Sequence, residues 1–117
     1  SLYFADIADD TRLNIADVRL RTVFQRPDGK KMELDILAAS DCGRILAVEV
    51  KKTKEPVGMT PVQDFREKIK VLASLHPENQ IIPAYFSAGG FTPDALEFCR
   101  KNSIGTAQEL RLKGINA

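Results

Sequence analysis

Four charged residues stand out by type and spacing: Glu33, Asp35, Glu49 and Lys51. They end two apolar runs separated by Asp41-Cys42-Gly43. A three-residue hairpin loop of this kind needs a residue in the left-handed region, and Gly43 takes positive φ without steric cost. With Ser40 facing Arg44, the register steps outward to put Asp35 opposite Glu49 and Glu33 opposite Lys51. Directly opposed residues have Cβ atoms roughly 5 Å apart. Two carboxylates at that distance repel unless a proton or a cation sits between them. Paired hard oxygens suit Mg²⁺, which binds through one or two carboxylates and keeps several waters. A solvated surface ion pair accounts for Glu33 and Lys51 equally well, but not for Asp35 against Glu49, since like charges directly opposite are destabilising.

The elements that must position these residues follow from alternation and turn chemistry. Side chains alternate faces along a strand. One face of the hairpin therefore carries Leu34, Ile36, Ala38, Leu46, Val48 and Val50, all apolar. Val18 to Phe24 alternates as a preceding strand. Pro27-Asp28-Gly29 between them is a turn, because Pro presets φ and Gly accepts the left-handed position. Strands are expected over 31–39 and 44–52, making an antiparallel meander.

Beyond a loop at 53–59, Thr60 reads as a helix N-cap with Pro61 at the first helical position. Val62, Phe65, Ile69 and Leu72 recur at helical spacing, with Leu75 near the end, and His76-Pro77 closes the helix. Ile81 to Ser87 is a buried-type strand in which Pro83 requires a bulge or an unpaired edge position. Thr92-Pro93 opens a second helix with Ala95, Phe98 and Cys99 inward, and 104–107 reads as a last short strand. A strand-helix-strand connection is right-handed and makes the fourth strand parallel to the third. At the N-terminus, Tyr3, Phe4, Ile7 and Ala8 have helical spacing until Asp9-Asp10-Thr11 breaks it. The fold class is α/β: a mixed sheet, meander first and helix-strand-helix after, with helices on its faces.

The composition adds limits. At 117 residues, with 44% hydrophobic and 28% charged, the chain has the balance of one globular domain, its core at about 18–108. It starts at Ser1, as a fragment of a longer chain would. Net charge is +1, which removes bulk basicity as a signal for nucleic acid and leaves local patches. No run is long enough to span a bilayer. Cys42 and Cys99 form no CxxC or Cys/His cluster, which argues against a zinc site or disulfide framework and for a reducing cytoplasm.

Asp35 on one strand, Glu49-Val50-Lys51 on the next, and Gln63 early in the following helix resemble the PD-(D/E)xK nuclease superfamily, with its three-layer restriction-endonuclease-like fold. The stretch from Ala84 to Ala95, with Phe91-Thr92-Pro93, resembles the Mrr and Holliday-junction-resolvase-like branches. The resemblance covers about residues 18 to 108. It implies metal-dependent phosphodiester hydrolysis of nucleic acid, DNA ahead of RNA, and allows a homodimer. Asp35, Glu49 and the Val50 carbonyl would hold Mg²⁺ or Mn²⁺, with Glu33 accessory. Lys51 would orient the attacking water and Gln63 would position Lys51 or substrate. Lys52, Lys54, Arg66 and Lys70 are the candidates for phosphate contacts. Two features depart from the family pattern. Residues 1–16 do not clearly supply its N-terminal acidic helix, and the literal Pro-Asp pair is Pro27-Asp28, a turn. The alternative is a nuclease-fold module without catalysis that binds nucleic acid or a protein.

Overall fold

The computed structural model describes residues 2–4, 15–40, 42–108 and 110–112. In chain order the elements are β1 (Leu2–Phe4), β2 (Ile15–Gln25), β3 (Lys31–Ser40), β4 (Arg44–Lys51), α1 (Met59–Leu75), β5 (Gln80–Ser87), α2 (Pro93–Lys101), β6 (Gly105–Ala107) and β7 (Leu110–Leu112). A five-stranded mixed sheet has the order β2-β3-β4-β5-β6, and β1 pairs with β7 apart from it. The meander β2-β3-β4 is antiparallel, and β5 and β6 add parallel strands. Tyr3 and Phe4 therefore lie in a strand paired with 110–111, not in a helix. The partner that decides this lies more than a hundred residues away in sequence. Ile7, Ala8 and the Asp9-Asp10-Thr11 break fall outside the described residues.

Both turns of the meander obey their sequence chemistry. Gly29 and Gly43 have φ of 92° and 82°. Asp28 Oδ1 accepts the Lys30 N–H at 3.0 Å, and Gly29 N–H donates to Arg26 O at 2.9 Å. Ser40 Oγ accepts the Arg44 N–H and donates to its carbonyl, both at 3.1 Å, closing the second turn. Asp41 itself lies outside the described residues.

Helix α1 starts one residue before Thr60: Gly58 is its N-cap, with no side-chain cap. Pro61 is tolerated in the first turn, where backbone N–H groups have no intrahelical acceptor. Val62, Phe65 and Leu72 are buried, whereas Leu75, the last residue of the helix, is 43% exposed. Helix α2 follows the sequence reading: Thr92 Oγ1 accepts the Ala95 N–H at 3.4 Å and Pro93 opens the helix. Pro83 sits opposite Ala47 with no register shift, one residue before β6 begins to pair at Ala84. Neither the bulge nor the edge position expected for it is found: it is paired on the β4 side, and on the other side the β6 ladder starts one residue later.

Both helices bury their apolar sides in one cluster with Leu34, Ala47, Tyr85 and Ile104. Fully buried side chains such as Phe65, Leu72 and Leu34 each stabilise by about 1.5–3 kcal/mol. A second cluster on the opposite face joins Ala38, Leu46, Val48, Ile82 and Ala84 with Ile36 and Val50. Leu34 thus packs with the helices while Ile36 packs on the far face, so the strict alternation expected of the hairpin breaks at Asp35. The β2–β3 pairing shows the same break: it runs Leu20–Ile36 and then Thr22–Leu34, omitting Arg21 and Asp35. Arg21 has φ of 51° there, and Thr22 Oγ1 is buried without a hydrogen-bond partner among the described residues.

Candidate active site

The hairpin register agrees with the sequence reading where pairs are formed, from Ala39–Ile45 to Ile36–Val48. One step further the backbone ladder gives way. Asp35 Oδ2 accepts the Val50 N–H at 2.8 Å, so the side chain replaces a strand carbonyl. Glu49 is in register with Tyr85 of the parallel neighbour. The Tyr85 ring meets Phe65 and Phe91 edge-on, at centroid distances of 5.3 and 5.7 Å, and forms an apolar base beside the carboxylates.

Burial raises the Glu49 carboxyl from 4.5 to about 7, against the pull of the Lys68 ammonium and with a further push from Asp35. The Asp35 carboxyl is close enough to Glu49 to favour its protonated form. Burial first, then the Glu49 and Asp35 charges, also push the Tyr85 hydroxyl up to about 12. Lys68 donates to Glu49 Oε2 at 2.7 Å and to the Glu33 carbonyl at 2.8 Å. Its side chain is 25% exposed and that of Glu49 17%. One ammonium thus ties α1 to both strands of the hairpin.

Each carboxylate spends one oxygen on these bonds, leaving Asp35 Oδ1 and Glu49 Oε1. A hard divalent cation fits such a pair, since it relieves the repulsion and offsets the cost of burying charge. Among the described residues, no three His, Cys, Asp or Glu side chains cluster as a metal site.

The family model described as restriction endonuclease (Mrr_cat) matches residues 16–114. The chain belongs to this restriction endonuclease family, within the PD-(D/E)xK superfamily. No curated protein matches its sequence. Solved structures share the fold. A protein of unknown function, AF1548, has a TM-score of 0.64 at 17% identity, over 77% of this chain and 47% of that one. A repair endonuclease from Pyrococcus abyssi gives 0.57 at 14% identity, over 78% and 39%. EndoMS in complex with dsDNA gives 0.53 at 12% identity, over 83% and 40%. The chain spans less than half the length of each of these structures.

In this restriction-endonuclease-like fold the remaining sequence candidates separate. Lys51 is exposed at the end of β4 and, by alternation, shares a face with Glu49. Glu33 is exposed and makes no ion pair with Lys51 among the described residues; its backbone carbonyl serves Lys68 instead. Gln63 is exposed in the second turn of α1, with no side-chain hydrogen bond among the described residues. Lys52 is exposed and lines a cleft beside Asp35, and Lys54 is exposed in the following loop. Arg66 is half-buried, while Lys70 pairs with Glu67 on its own helix at 3.4 Å, an ordinary surface pair. Asp28 is at the β2–β3 tip, paired with Arg26 at 3.3 Å, away from the hairpin mouth.

Lys68 and Tyr85 escape sequence reasoning. Lys68 lies three residues after Phe65, so helical spacing puts it beside the buried stripe. That is the signal that could have singled it out from Lys70.

Proposed function

We propose that this protein is a divalent-metal-dependent nuclease that hydrolyses phosphodiester bonds, with DNA as substrate ahead of RNA. The observation that carries the reading is the Asp35–Glu49 carboxyl pair at the mouth of the hairpin, two residues before an exposed Lys51, in a chain of this family. A neighbour in fold that is a repair endonuclease and another solved with dsDNA support DNA as the substrate class.

Asp35, Glu49 and the Val50 carbonyl would hold Mg²⁺ or Mn²⁺ in this reading. When bound, the metal would supply Lewis acidity toward the phosphoryl group and the attacking water. Lys68 holds Glu49 in one orientation, and the Val50 N–H does the same for Asp35. The Lys51 ammonium stands beside the scissile phosphate, where it steadies the attacking water and the charge that develops on the phosphoryl oxygens. Lys51 suits that task because an ammonium is a compact donor and a poor metal ligand. Lys52 and Lys54 contact flanking phosphates, which fixes the register of the strand without reading its sequence.

The test is cleavage of labelled single-stranded, duplex and branched DNA and of RNA, in Mn²⁺, Mg²⁺ or chelator. Lys51→Ala is expected to lower the turnover rate by about 10²–10³-fold while calorimetry still detects Mn²⁺ binding. Asp35→Ala and Glu49→Ala are expected to lose both. Cleavage retained by both carboxylate variants would overturn the reading. Metal-free binding of nucleic acid by the wild type, without cleavage of any substrate, would replace it with a binding module.

A further inference from the structure

On the face away from the helices, a cleft of about 550 Å³ opens beside Asp35. Leu20, Arg21, Asp35, Ile36, Val50 and Lys52 line it. Three irregularities of the sheet coincide at this level. Arg21 and Asp35 drop out of the β2–β3 pairing. The β3–β4 pairing stops at Ile36–Val48, and the Asp35 side chain takes the Val50 N–H. Arg21 holds a left-handed φ of 51° in the middle of a strand, a conformation that costs a non-glycine residue energy and concentrates at functional sites.

The chemistry of the lining is specific. Among the described residues Arg21 and Lys52 make no ion pair, whereas Arg19, Arg26 and Arg100 each have a carboxylate partner. The carboxylate in the cleft, Asp35, already has Oδ2 satisfied by Val50. The walls are apolar, with Leu20 70% exposed and Ile36 and Val50 half-buried. Two unpaired cations call for an anion with several oxygens, and a guanidinium fork matches phosphate geometry. The apolar walls formed by Leu20, Ile36 and Val50 suit a flat or aliphatic body attached to it.

We propose that this cleft seats one nucleotide of the bound strand, its phosphate on Arg21 and Lys52 and its sugar or base against Leu20, Ile36 and Val50. The assignment rests on the nucleic-acid reading above and adds Arg21 to it as a binding residue. The irregular strand then has a use: it brings a guanidinium to the level of the carboxylate pair, which a regular strand would not.

The experiment is fluorescence anisotropy with a labelled 20-base-pair DNA duplex at several salt concentrations, in Ca²⁺ to suppress cleavage. Arg21→Gln and Lys52→Gln are each expected to weaken binding about tenfold and to lower the slope of log affinity against log salt by about one. Arg19→Gln, on the same strand but paired with Asp17, is the control and is expected to change the affinity less than twofold. Arg21→Gly separates ligand binding from folding. It removes the side chain and the unfavourable φ together, so its melting temperature is expected to equal or exceed the wild-type value while DNA binding falls as in Arg21→Gln.

Wild-type affinity and salt slope in both Arg21 variants would overturn the cleft assignment, whatever the catalytic result. Loss of DNA binding in Arg21→Gly, with no metal-dependent cleavage by the wild type, would uphold the cleft while overturning the nuclease reading. A wild type that binds no duplex or single strand would overturn both.

Discussion

Glu49 is under opposing demands. Burial favours its protonated form, and the Lys68 bond at 2.7 Å favours the ionised one; burial wins and leaves the group at about 7. The folded state therefore holds this proton more tightly than the unfolded chain, whose carboxyl titrates near 4.5. Stability from this group is fully present below pH 4.5 and is lost as pH rises through about 7. The penalty above that is at most about 3.5 kcal/mol. In metal-free buffer, Glu49→Gln is expected to be more stable than wild type at pH 8 and little changed at pH 4.5, by urea melts; an unaltered pH profile would assign the effect elsewhere. Lys68→Met is expected to cost about 1–3 kcal/mol, because it strands a part-buried carboxylate. The two thiols differ just as sharply. Hydrogen bonds from Ser40 and Arg44 lower Cys42 to about 7, and burial lifts Cys99 to about 11. Iodoacetamide at pH 7.5 is expected to label Cys42 alone, as peptide mass mapping would show.

The loop between Lys51 and α1 is held in place by the β5–α2 connection. Ala88 N–H donates to Lys51 O, Val57 N–H to Gly90 O and Thr92 N–H to Val57 O. The approach is close enough that a Cβ on Gly89 would lie 2.4 Å from the carbonyl oxygens of Lys54 and Glu55. Gly58 has open space at the same position. Gly89→Ala is therefore expected to cost about 1–3 kcal/mol through overpacking, and Gly58→Ala far less. Calorimetric melting of the two variants checks this, and equal melting temperatures would contradict the close approach. The same loop carries Lys52 and Lys54, so Gly89→Ala is also expected to weaken nucleic-acid binding.

For the molecule as a whole, a ligand that binds only the folded state raises its stability by mass action, about 2.7 kcal/mol at a hundredfold excess over Kd. Mn²⁺ at saturating concentration is thus expected to raise the melting temperature of wild type by several degrees, and that of Asp35→Ala not at all. A shift of equal size in both proteins would place the ion elsewhere. Among the described residues β2 is one edge strand of the sheet, with Leu20, Val23 and Val18 at 70, 56 and 48% exposure. Arg19 and Arg21 on the same strand blunt that edge against pairing with another chain. No helix among the described residues is long and apolar enough to cross a membrane.

The parts legible in the sequence are those settled by neighbours along the chain. The turn at Gly43 fixed the hairpin register, and through it the choice of Asp35 over Asp28 as the partner of Glu49. Thr92-Pro93 marked the start of α2, and the apolar run at 81–87 marked the parallel strand. Turn chemistry, capping and alternation act over a few residues, so composition encodes them directly. What the sequence left open was decided by packing. Lys68 reaches Glu49 across 19 positions and Glu33 across 35; helical spacing sets it beside the buried stripe, but what it meets there depends on where α1 lies on the sheet. The break in alternation at Arg21 and Asp35 arises where β3 leaves β4 while staying paired with β2 on either side, and no local pattern announces it. Tyr3 and Phe4 follow a partner strand at 110–112 rather than their own helical spacing. In each case the deciding contact is distant in sequence, and its energy depends on a geometry that exists only once the sheet and helices are assembled.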